Sequence, residues 1–249
     1  MDRDLVSQII KFNAQTNGRE RICRLLQYIS RFLLGYLEGR HNAADILEKL
    51  KKLEYMFSMT RKLLRFGKSL DFLQGALKTI HLEDYVLRMT LTLSKINQAF
   101  YLLIDHFIWA HNVGVVKLNK QKWTDLSARF YIATLILNLV RDIYDIFCVI
   151  CQEVKIYQAR IKRSQYVNGD SNHSMVTQNQ TKGKVVLRVF NENKPLFLDF
   201  IKNAADIPIP ACTLGYLKLS QQTEGLLGVI SSVIGVATVW NPLLKLVPS

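Results

Sequence analysis

Apolar side chains recur three and four residues apart along most of the first 150 positions, which is typical of amphipathic helices. The most regular stretch covers residues 56–80, where the apolar positions alternate between steps of three and four. This spacing predicts one amphipathic helix, in which Gly67 and Gly75 are the weak helix formers. Its apolar stripe consists of Met56, Met59, Leu63, Phe66, Leu70, Leu73, Leu77 and Ile80.

The other faces of this predicted helix carry cations, namely Arg61, Lys62, Arg65 and Lys68. A helix of this kind can lie in a membrane surface, with its apolar stripe among acyl chains and its cations at anionic headgroups. The same stripe can also face a protein core or a partner helix in a coiled coil. For the membrane alternative we expect an inserting face formed by Met59, Leu63, Phe66, Leu70, Leu73, Leu77 and Ile80.

Two further helical stretches, 83–109 and 123–152, are strongly apolar but contain ionisable residues. Such residues cost about 2.5–3.5 kcal/mol each when they face lipid on insertion scales. They therefore favour either membrane spans with polar residues turned into a bundle or pore, or buried helices lying against the membrane. One pair, Arg141 and Asp145, is a helical turn apart and could form an ion pair. The set comprises Asp105, His106, Arg141, Asp142 and Asp145.

The C-terminal region contains sixteen residues without a charge at 225–240, followed by Leu243 and Leu244. This length approaches the ~30 Å of a bilayer core and predicts a transmembrane helix at about 225–244. A buried segment of a soluble protein is the alternative. Trp240 is suited to the membrane interface. Small residues four apart would let helices approach closely in lipid, and these are Gly228, Ser231, Ser232 and Gly235.

The domain organisation follows from a change in composition after residue 152. Residues 1–152 form a predicted amphipathic and membrane-associated helical region, 153–184 a polar linker, and 185–249 an amphipathic segment with the membrane span. No alternating pattern indicates strands. We therefore predict an all-α helical membrane protein with N-terminal amphipathic helices and a C-terminal transmembrane helix.

Composition sharpens the choice of partner. The 249 residues have a formal net charge of +13, yet 49% are hydrophobic. A basic and apolar chain favours an anionic phospholipid membrane first and nucleic acid second. Because the cations are dispersed along amphipathic helices, rather than gathered on one reading element, we expect no nucleic-acid partner.

The sequence contains no pattern that predicts catalysis. The familiar nucleophile, phosphate-binding, zinc-protease and dinucleotide motifs are absent. Cys148 and Cys151 form a C-x-x-C in a helical apolar run without a second pair, which favours buried core thiols over a metal or redox site. We expect no enzyme activity, cofactor or metal.

An ordered set of short motifs resembles the peroxisomal membrane protein eleven (peroxin eleven) family, and its animal alpha/beta branch more than its gamma branch. The matches run from about Phe12 to Pro242, and only the linker at 158–184 has no counterpart. The motifs are QTNGRER at 15–21, LQY at 26–28, KKLE at 51–54, TRKLLRFG at 60–67, LVRDIY at 139–144 and LDFIKN at 198–203.

The resemblance implies an integral, multi-pass peroxisomal membrane protein with both termini in the cytosol, which elongates the membrane and promotes peroxisome fission and proliferation. The implied mechanism is insertion of a basic amphipathic helix, here 60–80, together with self-association into a homo-oligomer. The implied partners are tail-anchored fission adaptors and a dynamin-related GTPase. The alternative function is a metabolite channel of the peroxisomal membrane.

Overall fold

The chain folds into a bundle of helices, in a computed structural model that describes residues 2–40, 44–168 and 189–247. No strand occurs within these ranges, and the all-α prediction is confirmed. A helical turn at 189–192 precedes α7, and a 3₁₀ turn at Pro242–Leu244 follows α9. The helices are α1 (Asp2–Ala14), α2 (Thr16–Leu37), α3 (Ala44–Leu64), α4 (Lys68–Thr79), α5 (Tyr85–Asn112), α6 (Lys120–Asn168), α7 (Lys194–Asp206), α8 (Pro208–Thr213) and α9 (Gln221–Trp240).

Two antiparallel helix pairs form the frame of the bundle. α2 packs against α9, and α5 packs against α6. Aromatic side chains pack between α5 and α6. The ring centroids of Phe107 and Trp123 are 5.5 Å apart, and those of Phe100 and Phe130 are 5.4 Å apart. α3 lies on α2, α4 lies on α5, and α7 contacts both α6 and α9. The N-terminal and C-terminal parts of the sequence are therefore joined in one unit.

The predicted single helix at 56–80 is wrong in one respect, because it is two helices. α3 ends at Leu64 and α4 begins at Lys68, and Gly67 between them has a φ of 81°. This left-handed conformation is readily accessible to glycine and interrupts the helix. The apolar stripe crosses the break, so its residues are divided between two helices.

α6 is longer than the sequence pattern predicts. It continues as helix through Asn168, into the range predicted as a polar linker. The remainder of that range, 169–184, lies outside the described residues.

The C-terminal prediction of a membrane span is confirmed at the level of length and composition. α9 is, within the described ranges, the one helix that is long and apolar enough to cross a membrane, and 28% of its most apolar window is buried in the bundle. The bundle interior is unusually polar. Among its most completely buried side chains are Asp142, Asn203, Asp206, Ser231 and Ser232.

Candidate membrane interface

The predicted inserting face is largely open to the surroundings of the bundle. Phe66 and Leu70 are each 69% exposed, and Leu77 is 65% exposed. Met59 is half-buried, and its sulfur accepts a hydrogen bond from Asn112 Nδ2 at 3.5 Å. The exposed members of the predicted inserting face are Leu63, Phe66, Leu70, Leu73, Leu77 and Ile80, and Met56 of the apolar stripe is exposed as well.

Small side chains hold the opposite side of α4 close to α5. Ser69, Ala76 and Thr79 are buried, and the Thr79 and Thr92 hydroxyls lie 2.9 Å apart. This packing fixes the rotation of α4 about its own axis. The exposed apolar residues consequently point away from the bundle.

The exposed surface of α4 also contains polar residues. Asp71, Gln74 and Lys78 are exposed beside the leucines. A helix whose outer surface is part apolar and part charged is suited to the boundary between headgroups and acyl chains. α4 therefore has the side-chain distribution of a helix that lies in a membrane surface.

The predicted headgroup-contacting residues have a different environment from the one expected. Arg61 contacts Glu20 at 3.0 Å, while Lys62 and Arg65 contact Asp105 at 2.6 Å and 2.5 Å. These three side chains are directed into the bundle because carboxylates on α2 and α5 face them. Lys68, at the start of α4, is half-buried. Headgroup contact by these four cations remains a prediction.

The Arg61 and Arg65 side chains also make hydrogen bonds that tie α3 to its neighbours. Arg61 donates to Gln27 Oε1 on α2 at 2.7 Å, and Arg65 donates to the Tyr101 hydroxyl on α5 at 2.9 Å. The cations thus position the end of α3, from which α4 continues. Phe66, in the break between the two helices, contacts the His106 ring of α5, with 4.9 Å between ring centroids and an angle of 49° between the ring planes.

The predicted ion pair between Arg141 and Asp145 is wrong. Arg141 pairs instead with the adjacent Asp142, at 2.6 Å, and with Asp199 on α7. Asn203, also on α7, donates to Asp142 Oδ2 at 2.9 Å. Asp145 is half-buried farther along α6. These interactions join α6 to α7.

A second polar cluster was missed by the sequence analysis. Arg24 on α2 pairs with Asp206 at 2.5 Å and donates to Ser231 Oγ at 2.9 Å. Ser231 also donates to Asp206, and Tyr131 on α6 donates to its other oxygen at 3.1 Å. The cluster connects four helices. Its only sequence signal is that Arg24 lies off the apolar stripe of its helix.

The small residues of α9 are buried against other helices of the same chain. Side chains at Gly225 and Gly228 would overlap Phe32 and Tyr28 of α2, and Gly235 faces Arg21. Ser232 donates to the carbonyl of Gly228 at 2.6 Å. The predicted small-residue stripe thus contributes to packing within the chain.

Comparison with known sequences identifies the chain. The family model described as Peroxisomal biogenesis factor 11 (PEX11) matches residues 6–240. The chain belongs to the PEX11 family. The resemblance found in the short motifs is therefore confirmed.

Relatives of this PEX11 family member match it over nearly its whole length. The human Peroxisomal membrane protein 11B is 37% identical, over 96% of this chain and 98% of its own. The human Peroxisomal membrane protein 11A is 34% identical, over 95% of this chain and 97% of its own length. A Peroxisomal membrane protein 11 homolog of Dictyostelium discoideum is 25% identical, over 94% of both chains. No solved structure matches the chain.

PEX11 family membership places the chain among proteins of the peroxisomal membrane.

Cys148 and Cys151 are half-buried free thiols on α6. Across the described parts of the chain, no cluster of three or more His, Cys, Asp or Glu side chains could hold a metal ion.

Proposed function

We propose that this PEX11 family member elongates and remodels the peroxisomal membrane and thereby promotes peroxisome fission and proliferation. In this proposal the apolar face of α4 inserts into the cytosolic leaflet, and self-association concentrates the inserted helices. The observation that carries the proposal is the outward apolar face of α4, which remains exposed although the rest of the helix is packed on α5.

The physical argument concerns the depth of insertion. An amphipathic helix buries its apolar face about 5–10 Å into the boundary between headgroups and acyl chains. Insertion at this depth expands one leaflet relative to the other and favours a curved membrane. Exposed Lys78 and half-buried Lys68 are the α4 cations near which anionic headgroups would gather, at about 1 kcal/mol each.

The test uses the full-length protein in vesicles that contain phosphatidylcholine and phosphatidylserine. We expect the unchanged protein to draw these vesicles into tubules visible by electron microscopy. The double variant Leu70→Glu/Leu77→Glu should leave them round, because two charges on the inserting face oppose burial among acyl chains. Gln74→Glu adds a charge to the exposed polar side and serves as the matched control. Tubules formed equally well by the double variant would rule out insertion through α4.

The positions of the chain ends support the topology that we propose. Phe12 on α1 and Trp240 at the end of α9 are 5.5 Å apart between ring centroids. Phe12 and Trp240, which lie near the two ends of the described chain, are therefore at the same end of the bundle. We propose that both ends face the cytosol, where tail-anchored fission adaptors and a dynamin-related GTPase would bind. Protease treatment of intact peroxisomes should then remove epitope tags from both termini.

The alternative, a metabolite channel, would use the charged residues of α5 and α6 to line a passage. Asp105 and Arg141 are instead occupied by ion pairs between helices, and Asp142 pairs with Arg141 on the same helix. This arrangement favours membrane remodelling. Solute flux through reconstituted protein that changes with Arg141→Ala would support the channel instead.

A further inference from the structure

We propose that α2 is a second membrane-spanning helix, which crosses the bilayer beside α9 with its outer face against acyl chains. The inference rests on α9 crossing the bilayer and does not require that α4 insert. Mean hydropathy alone does not identify α2 as a membrane span, because the helix contains several charged residues. Five charged residues interrupt α2, namely Arg19, Glu20, Arg21, Arg24 and Arg31.

On α2 the exposed side chains are apolar and several buried ones are polar, which is the reverse of the distribution expected for a helix in water. Between residues 21 and 37, every exposed side chain is aliphatic or aromatic. These exposed residues are Ile22, Leu26, Ile29, Leu33 and Tyr36. Three of the buried residues in the same stretch, Arg24, Gln27 and Ser30, are polar. A helix with water on its outer face usually carries charged and polar residues there.

α9 shows the same reversed distribution. From Leu226 to Trp240 its exposed side chains are Leu226, Ile230, Val233 and Trp240, while its buried residues are glycines and serines. The helix that qualifies as a membrane span on composition thus shares its outer surface pattern with α2. The two helices lie side by side, and Leu25 of α2 lines one open apolar groove together with Val233 and Trp240 of α9.

The antiparallel register staggers the two apolar surfaces along the helix pair, so that they overlap where residues 22–30 of α2 lie beside residues 226–234 of α9. Gly35 of α2 lies against Gln222 of α9, Gly228 lies against Tyr28, and Arg21 lies against Gly235. The exposed stripe of α2 runs from Ile22 to Tyr36 and that of α9 from Leu226 to Trp240. At 1.5 Å per residue each stripe is about 21 Å tall. α2, with 22 residues, is about 33 Å long and can cross a core of ~30 Å.

The charges of α2 are compatible with a membrane because they are paired inside the bundle or lie near a helix end. Arg24 pairs with Asp206 and donates to Ser231, and Arg31 contacts Glu54 at 2.6 Å and Glu224 at 3.1 Å. Glu20 contacts Arg61 at 3.0 Å and Arg21 at 3.6 Å. Charged residues in spanning helices are tolerated where they face the bundle interior and pair with one another. Arg19 is exposed only three residues after α2 begins.

The experiment measures the depth of labels on full-length protein in phosphatidylcholine and phosphatidylserine vesicles. The four native cysteines are replaced by alanine, and a fluorescent label is attached to Leu26→Cys on α2 or to Ile230→Cys on α9. These two native side chains are both 39% exposed. Lys52→Cys on α3 is the water-exposed control, since the Lys52 side chain is 72% exposed. Quenching is compared between nitroxides at the centre of the acyl chains and iodide in the buffer.

We expect the labels on α2 and α9 to be quenched several-fold more by the acyl-chain nitroxide than the label on Lys52→Cys, and less by iodide. A label on Leu26→Cys that behaves like the Lys52→Cys label, while Ile230→Cys stays nitroxide-sensitive, would overturn the inference. An iodide-sensitive label on Ile230→Cys would overturn it as well, through α9. Ile29→Cys provides a second position on α2, and circular dichroism confirms that each variant folds. Vesicle shape is not the readout, so a failure of tubulation by α4 remains distinguishable.

Discussion

α2 and α4 are both amphipathic helices with exposed apolar stripes, but their outer surfaces differ in composition. Beyond residue 20, α2 exposes only aliphatic and aromatic side chains, and its polar residues are buried. α4 exposes Leu70 and Leu77 beside Asp71 and Lys78, and it buries small residues. The same spacing in the sequence thus produces an acyl-facing surface in one helix and a surface for the headgroup boundary in the other. The location of the charges distinguishes the two.

The largest effect is expected from removing one partner of the central ion pair. Arg24→Met leaves Asp206 without its cation inside the bundle, which should lower the free energy of unfolding by about 3–5 kcal/mol. The double variant Arg24→Met/Asp206→Leu should recover most of that loss, since no charge is then left unpaired. Denaturant unfolding in lipid nanodiscs measures both. Lys49→Met, which breaks an exposed pair, is the control and should change stability little. A single variant as stable as the unchanged chain would contradict the prediction.

The next largest effect is expected when the same kind of substitution is compared on α2 and on α4. Leu26→Asp places a charge where α2 is proposed to face acyl chains, at a cost of about 2.5–3.5 kcal/mol. Leu77→Asp on α4 should change stability by no more than about 0.5 kcal/mol, because the site is on the surface. It should instead weaken binding of α4 to the bilayer. Unfolding in nanodiscs measures the first outcome and tubulation of vesicles the second. Equal losses of stability in both variants would remove the distinction between the helices.

A smaller loss is expected where α2 and α9 approach most closely. In Gly225→Ala the added methyl group would overlap the backbone of Phe32, so the two helices must separate, at about 1–3 kcal/mol for overpacking. Gly75→Ala on α4 is the matched control. Its methyl group would lie 3.3 Å from the flexible Lys95 side chain, and alanine is the better helix former by about 1 kcal/mol. Thermal unfolding should therefore move in opposite directions for the two variants, and a gain in stability for Gly225→Ala would refute the close approach.

The smallest effect is expected at the start of α5, where Asp84 caps the helix. The Asp84 carboxylate accepts hydrogen bonds from the Leu87 backbone N–H at 3.0 Å and from the Tyr144 hydroxyl at 2.8 Å. These bonds lower the pKa of Asp84. Its stabilising contribution is therefore present above its unfolded-state pKa and is lost as the pH falls through the lower folded-state pKa. Asp84→Ala should lower the unfolding temperature at neutral pH more than at acidic pH, and a difference that grows towards acidic pH would contradict this.

Local features of the sequence predict which helix is long and apolar enough to cross a membrane and which face of α4 is exposed. The uncharged run at 225–240 identifies α9 because membrane length and composition are properties of a single segment. The stripe at 56–80 identifies the exposed face of α4, but periodicity treats glycine as one more helical position. It therefore does not show that Gly67 takes a positive φ and divides the helix.

The ion-pair partners of the charged side chains could not be predicted, because most of these partners are distant in sequence. Arg61 meets Glu20, 41 residues away, and Arg65 meets Asp105, 40 residues away. A helical wheel shows only that Arg61 and Arg65 lie off the apolar stripe, which is equally true of solvated and buried cations. Helical spacing predicts Asp145 as the partner of Arg141. Asp199, 58 residues away on α7, and the neighbouring Asp142 provide the actual pairing.

The ion pair between Arg24 and Asp206 has a consequence for the biogenesis of the protein, since 182 residues separate its members. Ser231, which completes the contact, is farther still along the chain. During synthesis the N-terminal helices leave the ribosome long before these partners exist. Arg24 therefore has neither of its native partners until the C-terminal segment emerges. The native packing of α2 can therefore be completed only after almost the whole chain has been synthesised.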